Sequence, residues 1–219
     1  MKKFAALAVL AAAGSANAQS FFEGFNTTVA SPVPAGWASV NNSPGGPGLN
    51  PNWQQGPNAA VFAPFEGTGY AFSNFNSSTG ANAISNYMMS PVRTFTAGDT
   101  ISFWTRTVSA PSFPDRLRLR ISLNGASTTP ADFATILLTV NPNLTTTGYP
   151  SNWTQFNAVL ASGGSGRFAF HYDVPNGGPS GLNSDFIGVD AVQYTAVPAP
   201  GAAAVLGLGA LVGARRRRA

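Results

Sequence analysis

The residue types that most often carry chemistry are nearly absent from this chain. Among 219 residues there is one histidine, His171, and no cysteine. Cys–His nucleophile pairs, thiolate or multi-histidine zinc sites and His-Glu-x-x-His motifs are therefore excluded. A Ser-His-Asp set stays formally open around His171, yet no serine lies in a Gly-x-Ser-x-Gly elbow. Paired carboxylates of the glycosidase kind are the remaining route to hydrolysis. Eight acidic residues allow many pairs, and the sequence marks no pair as catalytic. The expectation is a protein that is not an enzyme, with His171 a surface or hydrogen-bonded strand residue.

Aromatic residues offer a gentler chemistry, the stacking of sugar faces on exposed rings. Trp37, Trp53 and Tyr149 lie in segments rich in Gly, Pro and Asn and are candidates for carbohydrate stacking. The other reading of the same residues is that they anchor loops onto a core. Trp104 and Trp153 fall within strand patterns and are expected inside.

The elements that must position these groups read as β throughout. Short alternating or aromatic-rich runs recur at Phe21–Asn26, Tyr70–Phe75, Ile101–Arg106, Leu117–Leu123, Ala134–Val140, Trp153–Leu160, Arg167–Val174 and Phe186–Tyr194. Turn formers such as Asn124-Gly125 and Asn176-Gly177-Gly178-Pro179 separate them. Leu117-Arg118-Leu119-Arg120-Ile121 shows the period of two most plainly, with apolar and charged side chains facing opposite ways. No helical stretch of useful length and no internal repeat interrupts the pattern. The fold class is all-β, a single antiparallel sandwich over residues 19–196. Pro32–Pro57 reads as a long ordered surface excursion pinned by Trp37 and Trp53.

Both ends differ in kind from this body. Lys2 and Lys3 precede the apolar run Phe4–Ala13 and the small-residue site Ala16-Asn17-Ala18, the three parts of a secretory signal peptide over residues 1–18. That run is shorter than the ~20 residues of a membrane-spanning helix. At the other end, Val197-Pro198-Ala199-Pro200 is followed by the apolar run Ala202–Gly213 and then Arg215, Arg216, Arg217 and Arg218. This is a short hydrophobic helix with a cationic stop, and membrane contact through it is expected before processing. A nucleic-acid-binding tail is the rival reading of the arginines. The chain carries 12 Lys+Arg against 8 Asp+Glu. Without the two lysines and the four terminal arginines, six arginines face eight acids, a net charge of −2. The basic balance thus belongs to the ends, and the body has no composition suited to DNA or RNA.

Two families resemble these residues. The tripartite terminus, residues 197–219, is similar to a PEP-CTERM sorting signal, with Pro198-Ala199-Pro200 where the archetype has Pro-Glu-Pro. The resemblance implies processing by signal peptidase and by an exosortase, a membrane cysteine transpeptidase. It also implies delivery to the cell surface or extracellular matrix after transient anchoring in the inner membrane. Within the body, Phe22-Glu23-Gly24-Phe25, Pro34-Ala35-Gly36-Trp37, Gly67-Thr68-Gly69-Tyr70, Met89-Ser90-Pro91 and Ile187-Gly188-Val189-Asp190-Ala191-Val192 stand in an order that resembles the choice-of-anchor J domain. That domain is itself similar to the MAM and cleaved-adhesin jelly rolls. This likeness implies a jelly roll in which the first and last strands lie side by side. It also implies that Glu23 and Asp190 help hold one structural calcium ion, to which Asn41, Asn42 or Asp185 could contribute oxygens. The other reading is that both acids accept backbone N–H groups at strand ends. The function expected is structural or adhesive, with carbohydrate binding to exopolysaccharide as the alternative and a polysaccharide hydrolase as the third class.

Overall fold

The computed structural model describes residues 19–198; the signal-peptide segment and residues 199–219, which include the expected sorting helix, lie outside the described residues. Among the described residues there are thirteen strands: β1 Phe21–Glu23, β2 Ser31–Pro32, β3 Ala38–Asn41, β4 Gln54–Gly56, β5 Tyr70–Asn74, β6 Ile84–Met89, β7 Arg93–Phe95, β8 Thr100–Thr107, β9 Leu117–Ser122, β10 Thr135–Val140, β11 Thr154–Val159, β12 Gly164–Val174 and β13 Phe186–Thr195. The only helical pieces among the described residues are two single 3-10 turns, Phe75–Ser77 and Pro130–Asp132.

The strands form two antiparallel sheets. One has the order β11-β8-β13-β5-β4-β2, with β1 added on β13; the other has β10-β9-β12-β6-β3, with β7 added on β12. The expected neighbourhood of the first and last strands is present, with Phe21 opposite Tyr194 and Glu23 opposite Val192. Strand β13 carries β5 along Phe186–Val189 and β1 along Val192–Tyr194. A register shift between Asp190 and Gln193, with Ala191 at a φ of 46°, marks the passage from one partner to the other.

Packing follows from the period of two. Alternate residues of β8 and β9 are buried, among them Ile101, Phe103, Leu117 and Leu119. They meet Phe168, Phe170, Ile187 and Val189 in one apolar core between the sheets. Strand β13 departs from alternation because its outer face is covered too: the segment 57–69 lies over it, and Phe62, Tyr70, Phe72 and Phe186 form a second, smaller cluster there. Gly188 makes this cover possible, since a Cβ at that position would stand 2.9 Å from the rings of Phe62 and Trp153.

Three expectations are corrected. Pro32–Pro57 is not a mere excursion, because it contributes β3 to one sheet and β4 to the other. Trp104 and Trp153 lie outside the main core, both half-buried. The Trp104 ring stacks on Phe65 at 3.9 Å, and Trp153 Nε1 donates to the Ala63 carbonyl at 2.9 Å, so both hold the covering segment. Strands β6 and β7 have no counterpart in the pattern read from sequence. In β6 the reason is Asn86, a polar residue at a fully buried position, which breaks the apolar alternation.

Candidate functional site

The junction of β1 and β13 brings Asp190 into a carboxylate cluster, but with a different partner from the one expected. Glu23 pairs with Val192, whose side chain enters the core, whereas Asp190 pairs with Trp104, whose ring lies on the outer face. Cross-strand partners share a face, so the register aims Glu23 and Asp190 to opposite sides. Asp190 is fully buried; its Oδ2 accepts from the N–H of Phe65 (2.9 Å) and Glu66 (3.2 Å), and its Oδ1 from that of Ala191 (2.7 Å). Burial pushes the Asp190 carboxyl up to about 7 despite these donors, and the nearby Glu66 carboxylate adds to the rise. Glu66 Oε1 in turn accepts from Asn26 Nδ2 at 3.0 Å, and Asn26 Oδ1 takes the Thr68 N–H. Glu23 Oε1 accepts from the Phe25 N–H at 2.9 Å.

These oxygens suit calcium in type. Among the described residues no three acidic or histidine side chains gather around a point where a metal ion could sit. Asn41 belongs to the other sheet, where its Nδ2 ties the carbonyls of Pro51 and Ser77 together. Asn42 donates its N–H to the Ser85 carbonyl. Asp185 stands on the loop before β13 beside Asp115. The arrangement present is a set of carboxylates and an amide that fasten segment 57–69 to the last strand.

His171 is equally committed. It lies on β12, buried, with its ring stacked 3.8 Å from that of Tyr87. Arg120 Nε donates to Nδ1 at 3.0 Å, which leaves the proton on Nε2, facing Ser85 Oγ at 3.0 Å. Burial, with Arg120, Arg118 and Arg116 around it, drives the His171 pKa down to about 2, so the ring stays neutral. A base needs a free lone pair within reach of its substrate; here that lone pair is taken by Arg120. Arg116 and Arg118 both contact Asp173, at 3.2 and 2.9 Å, the second as an ion contact without hydrogen-bond alignment.

The three aromatic candidates are structural in this fold. Trp53 is fully buried and donates its indole N–H to the Asn86 carbonyl at 3.1 Å. Trp37 packs edge-on against Phe25 and Phe168. Tyr149 is buried with its hydroxyl on Thr105 Oγ1 at 2.6 Å. These contacts are those of rings that anchor loops onto the core.

Sequence reasoning missed a hub, Asp115. Its side chain is buried and receives Thr107 Oγ1–H (2.6 Å), Tyr172 O–H (2.5 Å) and the Asp185 N–H (2.8 Å). Burial raises its carboxyl to about 6. The expected sorting motif begins where the described body ends: the Val197 N–H is held by Asp99 Oδ1 at 2.9 Å, and Pro198 is exposed. Ala199, Pro200 and Arg215–Arg218 lie outside the described residues.

No family model matches the chain, and neither does any curated protein. Solved structures do. The K1 cleaved adhesin domain of Lys-gingipain from Porphyromonas gingivalis W83 superposes with a TM-score of 0.59 at 20% identity, over 82% of this chain and 99% of that one. The K2 domain of Lys-gingipain gives 0.59 at 21%, over 81% and 99%. The K3 domain from the same strain gives 0.52 at 20%, over 81% and 99%. The chain therefore has the fold of the cleaved adhesin domains, in agreement with the jelly-roll resemblance; at such identities the likeness speaks for fold alone.

Proposed function

We propose that this chain is an exported bacterial surface or extracellular-matrix protein whose sandwich has a structural or adhesive, non-catalytic role. The observation that carries this reading is the state of its chemistry-bearing groups. His171 is neutral with both nitrogens engaged, and Asp115 and Asp190 are buried receivers of hydrogen bonds within the fold. The fold shared with cleaved adhesin domains is compatible with the adhesive part. Export by signal peptidase and sorting by an exosortase rest on the residues of the two ends.

Mass spectrometry of the surface or released form tests the processing. The mature protein is expected to start at Gln19 and to lack Arg215–Arg218. An intact C-terminus on the mature protein would remove sorting from the account.

Calcium at Glu23 and Asp190 is a separate proposal, resting on the oxygen chemistry of those acids. The ion would have to draw both carboxylates out of their present contacts. If it binds, calcium raises the melting temperature and Asp190→Ala abolishes the rise. An unchanged melting temperature in the wild type dismisses the ion.

A further inference from the structure

A cavity of about 230 Å³ opens where three loops meet at one end of the sandwich. Its walls are Phe75 from the turn after β5, Phe113 from the β8–β9 loop, and Gly178, Gly181, Ser184 and Asp185 from the β12–β13 loop. It shares no residue with the aromatic candidates or with the acidic junction at β1. We propose that this cavity binds a single neutral sugar residue, a pyranose held by hydrogen bonds on its floor and apolar contact with two phenylalanines.

Three observations carry the assignment. Phe75 and Phe113 are 37% and 41% exposed, both beside the cavity mouth. Large apolar side chains left open on two loops of one cavity are what a pyranose C–H face packs against. Between them, Ser184 is 3% exposed, yet its hydroxyl has no hydrogen-bond partner within the protein. A buried hydroxyl without a partner is unfavourable, and a sugar hydroxyl would satisfy it once the Ser184 side chain turns toward the cavity that the residue lines. Finally, the polar floor is held in place from behind. The Ser184 N–H is bound to the Pro114 carbonyl at 2.9 Å, the Asp185 N–H to Asp115 at 2.8 Å, and the Asp185 carbonyl receives the Phe75 N–H at 3.0 Å. The loop is braced again by Leu182 and Asn183, whose N–H groups share the Asn176 carbonyl. Such bracing lowers the ordering cost of binding.

Chemistry narrows the ligand. No Lys or Arg lines the cavity, and Asp185 brings a carboxylate to it. A carboxylate accepts hydrogen bonds from vicinal hydroxyls and repels an anionic group, so the site selects neutral hexoses over uronates. The volume lies below the ~300–1,000 Å³ of sites for drug-sized ligands, which fits one ring, such as the terminal residue of a glycan chain.

The inference goes beyond the adhesive reading and does not depend on the sorting signal. The isotope-labelled chain is titrated with the methyl glycosides of glucose, galactose and mannose, and with methyl glucuronide, while backbone amide shifts are followed. At least one neutral glycoside is expected to move the amides of residues 112–113 and 178–185 saturably, with the glucuronide at least about tenfold weaker, near 1.4 kcal/mol. Phe113→Ala and Ser184→Ala are each expected to weaken that binding about fivefold or more while the amide spectrum of the sheets stays unchanged. Absence of a saturable shift with all three neutral glycosides overturns the proposal. So does glucuronide binding of equal strength, or affinity that both variants leave intact.

Discussion

Asp115→Ala is expected to destabilise the sandwich by about 3–5 kcal/mol, read as a shift in denaturant midpoint at unchanged slope. The carboxylate is the shared acceptor of three donors from three parts of the chain: Thr107 at the end of β8, Tyr172 on β12, and the backbone of Asp185 before β13. Truncation leaves the Tyr172 hydroxyl and the Asp185 N–H without their partner, each costing ~1–3 kcal/mol, while the Thr107 hydroxyl keeps the Phe186 carbonyl at 2.9 Å. For a domain of this size the corresponding fall in melting temperature is about 10–15 °C. A loss below ~1 kcal/mol would mean that water or neighbouring groups replace the carboxylate, and the hub would not exist.

The same residue gives the domain a pH dependence of definite sign. Burial raises Asp115 from its ordinary 3.8 to about 6 in the fold, so the folded state holds this proton more tightly than the unfolded chain. The stability contributed is fully present below pH ~4 and is lost as pH rises through about 6. Asp190, raised to about 7, acts in the same direction over an overlapping window. Denaturation midpoints measured between pH 4 and 8 are therefore expected to fall, and Asp115→Asn is expected to reduce the fall while leaving the Asp190 share. A midpoint that rises over this interval contradicts both assignments.

Trp53→Ala is the second large effect, about 3–5 kcal/mol of stability lost. The indole is fully buried in the core, and its N–H satisfies the Asn86 carbonyl. That strand is already polar inside: Asn86 Nδ2 donates to Ser73 Oγ and Ser77 Oγ at 3.2 and 3.1 Å. Removing the ring leaves a cavity beside this network. The variant separates packing from recognition, since a sugar-stacking tryptophan would tolerate truncation with little change in stability. Unaltered thermal stability of Trp53→Ala would restore the stacking reading. Phe113→Ala, on an exposed loop, is expected to stay within about 0.5 kcal/mol of the wild type.

The eight strands read from sequence are all present; most carry an alternation or an aromatic cluster, and β10 carries the aliphatic, β-branched run Thr135–Val140. Strands β8 and β9 are the clearest, and their inner and outer faces fall where the period of two puts them. Strand β13 was readable as apolar, but not the cause, since the cover supplied by segment 57–69 comes from a Pro/Gly-rich stretch. Strands β3 and β4 escaped because Ser, Asn and Gln occupy many of their positions, and β6 because buried Asn86 interrupts its apolar residues Ile84, Tyr87, Met88 and Met89. The jelly-roll resemblance pairs Glu23 with Asp190; the bulge at Ala191 and the register on either side of it aim them apart. Asp99 and Asp115, each accepting three hydrogen bonds through its side chain, sit alone in loops, where no spacing announces a partner. Nor could an orphan hydroxyl at Ser184 be seen before the loops were folded around it.

Cell fractionation with an antibody to the sandwich, comparing the native host with a strain lacking its exosortase, tests the central claim most directly. The account predicts protein at the cell surface or in the medium of the first strain, and retained unprocessed at the inner membrane of the second. Folded protein in the cytosol of the native host would contradict it.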